Sequence, residues 1–186
     1  MKRLFDLALV LVAVLFLFMP ILIVAVAVRL TSPGPALHWS DRVGKNNCTF
    51  KMPKFRSMRI NTPVVASHIL QDPATWLTRI GLFLRKSSLD ELPQLWSIAK
   101  GDMSFVGPRP ALVNQDDLIA LRTEAGVHEM LPGLTGWAQV NGRDELSVSD
   151  KVKLEIEYLQ RRSVAFDIRI LWQTLVNVLR RDGVSH

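Results

Sequence analysis

Asp90 and Glu91 are adjacent carboxylates in the run Ser87-Ser88-Leu89-Asp90-Glu91-Leu92-Pro93-Gln94-Leu95. Arg85 and Lys86 stand just before them, and a rigid Gly/Pro stretch, Gly101-Asp102-Met103-Ser104-Phe105-Val106-Gly107-Pro108-Arg109-Pro110, follows with Arg109 inside it. Paired acids between guanidinium groups suit chemistry on a phosphorylated substrate. Arg can bind phosphate in a bidentate manner, and a carboxylate can serve as nucleophile or metal ligand. Ser88 and Glu91 have the spacing of a capping box, which predicts a helix start there with Leu89, Leu92, Leu95 and Trp96 along one face. Pro93 must then lie within the first turn or so, where a missing N–H costs least. Two roles for the acids stay open at this level. They either complement the positive end of the helix dipole or use that field to stay ionised for catalysis.

The elements that must position these groups begin with a membrane segment. The chain has 186 residues, enough for one domain of ordinary size, and its 48% hydrophobic content is high for a soluble protein. The excess lies at the N-terminus: Leu7 to Val28 contains no charged residue, and a straight helix of that length reaches roughly 33 Å, enough to cross a bilayer core. Lys2 and Arg3 flank one end, and Arg29 with the rest of a chain of net charge +6 flanks the other, so the positive-inside tendency draws both ends to the cytoplasm. Pro20 interrupts the run and predicts a bend. A re-entrant hairpin that enters and leaves one leaflet satisfies both features; a kinked single span is the alternative. A cleavable signal peptide fits poorly, because the run is too long and no small-residue cleavage site precedes Arg29.

Beyond it, Ala74 to Arg85 and Val164 to Arg181 read as amphipathic helices, suited either to a lipid interface or to a protein core. Thr31 to Pro35 reads as a turn that ends the membrane segment, Asp41 to Asn47 as a hairpin-like turn between short strands, and Phe50 to Met58 as a strand. Leu131 to Arg143 is too rich in glycine for a helix or regular strand and reads as an ordered loop that serves a site. Cys48 is the only cysteine, so no internal disulfide forms, as suits a cytoplasmic face. The four histidines lack metal-ligand spacing, which argues against zinc. No nucleic-acid motif is present, so the basic balance points to lipid headgroups and nucleotide phosphates.

Lys54-Phe55-Arg56-Ser57-Met58, Arg85 to Gln94, Gly101 to Pro110, and Pro132-Gly133 to Asn141-Gly142-Arg143 together resemble the bacterial sugar transferases known as monotopic phosphoglycosyl transferases. The likeness runs from Lys2-Arg3-Leu4-Phe5-Asp6 to the C-terminal helix, and is to the short form of the family. It implies transfer of a sugar phosphate from a UDP-sugar to a polyprenol phosphate such as undecaprenyl phosphate, with UMP released and surface glycan assembly begun. It also implies that Asp90 is the nucleophile that carries a covalent phosphosugar and that Glu91 helps activate the incoming lipid phosphate. Two phosphates and an anionic nucleophile repel one another without a cation, so Mg²⁺ held by Asp90 and substrate oxygens is expected. Arg85, Arg109 and Arg143 sit in the matching motifs as phosphate-binding groups, with Lys54 and Arg56 next; each could instead be an ordinary surface charge. Family members commonly pair the bend proline with serine, whereas Pro20 follows Met19, which leaves the bend angle open.

The architecture expected is therefore α+β. A re-entrant membrane helix over residues 1–30 precedes a cytoplasm-facing catalytic domain over 31–186, mostly helical and loop-rich, with a small sheet and interfacial helices. The site would lie on the cytoplasmic face of a bacterial inner membrane. The rival reading is a non-catalytic, membrane-tethered module that binds anionic lipid or nucleotide and recruits glycan-assembly enzymes. A glycosidase is set aside, since neighbours on one turn can hardly flank a glycosidic bond from opposite faces. The sugar, the glycan pathway and the oligomeric state, a homo-oligomer included, stay open.

Overall fold

Continuous apolar sequence without glycine makes a long helix, and α1 spans Lys2–Thr31, 30 residues, with helix on both sides of Pro20. The computed structural model describes residues 2–63, 73–142 and 146–180. Among these residues α1 is the one helix long and apolar enough to cross a membrane. One flank of it packs on the rest of the chain: Val10 joins the main core, while Val24 and Val28 pack with Phe55 and Leu84. Leu11, Leu15, Phe16, Met19 and Ile23 are left bare.

The polar start of α1 is pinned to the domain. Lys2 Nζ donates to Val106 O and Tyr158 Oη, both at 3.1 Å, and to Asp167 at 2.6 Å. Arg3 donates to Ile98 O and Ala99 O at 2.5 and 2.6 Å, where the carbonyl end of α3 (Leu95–Lys100) favours a cation. Asp6 is fully buried and accepts from Ser104 Oγ at 3.0 Å and Phe105 N at 3.2 Å. Buried charge is tolerated here because each group is paired.

β1 (Leu37–Val43) and β2 (Thr49–Phe55) form the expected hairpin, with Leu37 opposite Phe55 and Val43 opposite Thr49. The turn starts later than predicted, at Gly44, because β1 continues through Val43. Asn46 and Asn47 take left-handed φ values of 53° and 59°, a conformation Asn tolerates. β4 (Ala111–Leu112) pairs on the other side of β1, giving the order β2-β1-β4. β2 is therefore an edge strand and can hold Pro53 without losing an internal ladder bond.

β3 (Ser104–Val106) pairs in parallel with β5 (Gly133–Thr135). The Leu131–Arg143 stretch is thus more regular than its glycines suggest; β5 and the one-turn α5 (Trp137–Val140) lie inside it. Its glycines serve close approach rather than looseness. A Cβ on Gly133 would stand 2.1 Å from Gly107 N, and one on Gly136 2.1 Å from Gly107 O. Helices α4 (Asp116–Glu124), α6 (Val148–Arg161) and α7 (Val164–Arg180) complete the fold. Ile98, Met103, Val106 and Ile170 sit at the centre of its main core.

The C-terminal helix is as expected, and Val164, Ile168, Trp172 and Leu175 form an exposed apolar stripe along it. Ala74 to Arg85 is not one helix. It divides into a 3-10 turn at Pro73–Trp76, a β-bridge between Leu77 and Met58, and α2 (Gly81–Lys86). The cause is Ser57: its carbonyl accepts from Thr78 N at 3.0 Å, and a Cβ on Gly81 would lie 2.0 Å from the same oxygen. Leu82 and Phe83 still point outward. A mixed helical fold with a small sheet and a long apolar N-terminal helix is thus what the chain forms. Substituting Gly133→Ala drives a methyl into the Gly107 backbone and should cost about 2–3 kcal/mol, read as a lower denaturant midpoint at unchanged m-value.

Candidate active site

The acids lie on a 3-10 helix, Leu89–Gln94, rather than at an α-helix start. The predicted capping box does not form: Ser88 is left-handed at φ 54° and its side chain caps nothing, while Glu91 N donates to Ser88 O at 3.1 Å. A non-glycine residue in that region costs energy, and such strain clusters where geometry serves a site. Leu89 and Leu92 pack on the Phe55–Leu84 cluster and Leu95 is buried. Trp96 leaves the expected face and is 63% exposed. Inward packing of the leucines holds the short helix against β2, which carries Lys54.

The two acids are treated differently by their surroundings. Glu91 Oε1 accepts from Lys54 Nζ at 2.7 Å and has Arg109 Nη1 at 3.7 Å, so it is an engaged carboxylate. Asp90 is 7% exposed, and no donor among the described residues hydrogen-bonds its carboxylate. Burial pushes the Asp90 carboxyl above the ordinary aspartate range; Lys54 opposes this, Glu91 adds to it, and Arg85 and Arg109 oppose it further.

The remaining predicted residues divide. Arg109 enters from the Gly107–Pro110 turn. Arg85 lies at the end of α2, with Nε 3.1 Å from Ser57 Oγ and Nη2 3.0 Å from Met58 Sδ; burial lowers its pKa and the Asp90 charge opposes that. Arg56 does not reach the cleft. It is buried, donates to Ser32 O at 3.0 Å, Ser32 Oγ at 2.9 Å and the Pro33 carbonyl, and so closes the turn after α1. Its successor side in β2 explains this: Lys54 faces the cleft, and Arg56 lies beyond the strand end where the chain bends toward residues 32–34. Arg143 lies outside the described residues. Pro20 is remote from the cleft, inside α1.

Two residues that motif reading left aside, Arg42 and His38, stand at or beside the site. Arg42, Lys54, Glu91, Gln94 and Arg109 line one small cleft with Gly133 and Leu134. Arg42 has its pKa pushed down to about 10 by burial first and then by Arg109, with Glu91 opposing. His38 stands opposite Lys54 in the hairpin register; burial, Arg42 and Lys54 lower its pKa. The hairpin pattern held the available signal, since residues alternating from Lys54 across the turn share its face. Among the described residues no group of three or more acids, histidines or cysteines clusters for a metal. Mg²⁺ needs only one or two carboxylates beside phosphate oxygens, and the unengaged carboxylate of Asp90 fits that demand.

A long apolar helix is thus fixed to a domain whose cleft sets Glu91, next to the buried Asp90, among Lys and Arg. The chain belongs to the bacterial sugar transferase family, whose model matches residues 1–181. It is 39% identical to the uncharacterized sugar transferase EpsL of Bacillus subtilis (strain 168), over 100% of this chain and 90% of that one. It is 41% identical to the UDP-glucose:undecaprenyl-phosphate glucose-1-phosphate transferase of Escherichia coli (strain K12), over 80% of this chain and 33% of that protein. With the undecaprenyl-phosphate galactose phosphotransferase of Salmonella typhimurium the identity is 40%, over 81% of this chain and 34% of that protein. The chain thus spans about a third of the length of the latter two. The Escherichia coli and Salmonella relatives are named as sugar phosphate transferases, and the family is one of enzymes.

The raised Asp90 pKa has a stability consequence with a defined sign. An acid whose folded pKa lies above its unfolded value favours the fold when protonated, and that stability is lost as pH rises through the folded value. In magnesium-free buffer at neutral pH, Asp90→Asn should therefore melt higher than wild type, and the gap should close as pH falls into the ordinary aspartate range. Differential scanning fluorimetry across that range checks it.

Proposed function

We infer that this chain transfers a sugar-1-phosphate from a UDP-sugar to a polyprenol phosphate such as undecaprenyl phosphate, by way of an aspartyl phosphosugar, and so starts surface glycan assembly. The observation that carries this reading is the division of labour between neighbours: Glu91 is held by Lys54, whereas Asp90 is buried with its oxygens free of hydrogen-bond donors among the described residues. An unengaged carboxylate can attack; an ion-paired one positions and accepts protons. The names of the Escherichia coli and Salmonella relatives support the donor and acceptor classes.

In the first step an Asp90 oxygen attacks the phosphorus that bears the sugar, the phosphoanhydride bond breaks, and UMP leaves with the bonding electron pair. In the second, an oxygen of the polyprenol phosphate attacks the same phosphorus, and the Asp90 carboxylate is expelled to yield polyprenyl diphosphate sugar. Glu91 takes up any proton left on the incoming phosphate. Lys54, Arg109 and Arg85, with Arg42 beside them, counter the charge that gathers as a diphosphate approaches two acids. Asp90 is the residue that would hold Mg²⁺, which when bound supplies further neutralisation of the phosphate oxygens.

The membrane reading rests on how α1 is held. Lys2 is fixed at Val106, and Val28 packs on Phe55 and Leu84 of the same domain, so both ends of α1 sit on one body. A straight crossing would put those ends on opposite sides. A re-entrant segment over residues 1–30, bent near Pro20, keeps both on the cytoplasmic face of the inner membrane, with the catalytic domain of 31–186. There the outward stripes of α2 and α7 meet the lipid interface.

With UDP-sugars, undecaprenyl phosphate and Mg²⁺, wild type should release UMP with at least one sugar, and Asp90→Asn should lose turnover by about a thousandfold or more. Wild-type turnover in the Asn variant would refute the nucleophile and favour a tethered binding module. Reporters fused at the two termini should both read as cytoplasmic; opposite locations would exclude the re-entrant form.

A further inference from the structure

We propose that Arg122, oriented by Glu155, is a positioning residue that fixes Arg109 for binding of the anionic substrate. The inference rests on the reading that Arg109 contacts phosphate.

The turn Gly107-Pro108-Arg109-Pro110 contains two prolines, which fix φ and remove two N–H groups, so its shape is set by what its carbonyls accept. Pro108 O accepts from Gly133 N at 2.8 Å, Gly107 N donates to Thr135 O at 2.9 Å, and Pro110 O has Arg42 Nη1 at 3.4 Å. Arg109 O accepts from Arg122 Nη1 at 2.9 Å. By contrast, the Arg109 side chain is 39% exposed and its nearest carboxylate contact, to Glu91, is long at 3.7 Å. The aim of that guanidinium therefore depends on its backbone, and its backbone depends on Arg122.

Arg122 comes from α4 and is 8% exposed; Glu155 comes from α6 and is 3% exposed. Arg122 Nε donates to Glu155 Oε2 at 2.8 Å and Nη2 donates to Oε1, which leaves the third edge of the fork pointed at Arg109 O. Ala111, Leu118 and Val152 form the apolar cluster that joins these elements. Removing an ion pair from water is costly, and apolar replacements of similar volume are often as stable or more so. Packing alone therefore gives no reason for charges at 122 and 155, whereas a rigid donor aimed at Arg109 does. A sequence reader sees only an Arg in the last turn of one helix and a Glu in the middle of another, 33 residues apart.

The test uses the full chain in nanodiscs with undecaprenyl phosphate, Mg²⁺ and the UDP-sugar that wild type consumes from a panel of UDP-glucose, UDP-galactose and UDP-N-acetylgalactosamine. R122M/E155L should melt at or above the wild-type temperature while KM for the UDP-sugar rises about tenfold to a hundredfold, with a smaller change in kcat. Arg109→Met should raise KM likewise, and adding R122M/E155L to it should raise KM little further, because both act through one contact. A merely structural pair would give additive losses that track melting temperature. Arg122→Lys, which keeps the charge against Glu155 but cannot serve three acceptors at once, is read by the same KM criterion if the apolar pair fails to fold. Wild-type KM in a folded variant overturns the proposal. If Arg109→Met itself keeps wild-type KM, the phosphate role of Arg109 falls instead, and a panel that wild type leaves untouched removes the functional reading and this inference together.

Discussion

Two carboxylates on consecutive residues, largely out of water, repel each other and lose hydration, and the rest of this fold answers that problem. The solution is unequal. Lys54, reaching across from β2, takes Glu91 as its partner, while burial pushes the Asp90 carboxyl upward and only the longer-range field of Lys54, Arg85 and Arg109 opposes that. A symmetric arrangement with both acids paired would be more stable and chemically inert. Leaving one acid unpaired stores a cost that binding of phosphate and a divalent cation can relieve. The strained Ser88 just before the pair belongs to the same economy, since it turns the chain so that both acids arrive on a short 3-10 helix packed on β2.

The cations come from three separate parts of the chain, and each part is fixed by something other than charge. Lys54 is placed by the hairpin register, Arg85 by the docking of α2 on Ser57, and Arg109 by a proline turn wedged against β5 through Gly107 and Gly133. The wedge in turn is held by the start of α1. Asp6 and Lys2, at the head of the apolar helix, bind β3 at Phe105 and Val106, immediately before that turn. The long apolar helix is thus an integral part of the scaffold that carries the cleft residues, rather than a tether on a self-sufficient domain.

The gathering of these acids and cations was legible in the sequence where residue type and spacing alone decide it. Asp90, Glu91, Arg85 and Arg109 stood out as neighbours in short motifs, and Lys54 through its own motif. α1 and α7 followed from apolar periodicity. What escaped needed the third dimension. Arg42 shares the cleft only because β1 pairs with β2 in one particular register, and Arg122 matters only because α4 passes behind the Arg109 turn. Arg56 looked like its motif neighbour Lys54, but the chain bends after Phe55 and directs it to the carbonyls of residues 32–34. The capping box and the long 74–85 helix were correct local patterns overruled by tertiary contacts at Ser88 and Ser57. Gly133 and Gly136 argued against regular structure in an ordered loop, whereas they allow the close backbone approach that β5 and α5 need.

The claim on which all of this turns is that Asp90 becomes bonded to phosphorus. Intact-protein mass spectrometry of the enzyme with Mg²⁺ and a panel of UDP-sugars, in the absence of polyprenol phosphate, measures that bond. The account predicts a sugar-phosphate adduct on wild type with matching UMP, no adduct on Asp90→Asn, and loss of the adduct once lipid phosphate is added. UMP release that requires lipid phosphate and proceeds with no adduct on wild type would contradict it, and would mean that the acceptor attacks the UDP-sugar directly.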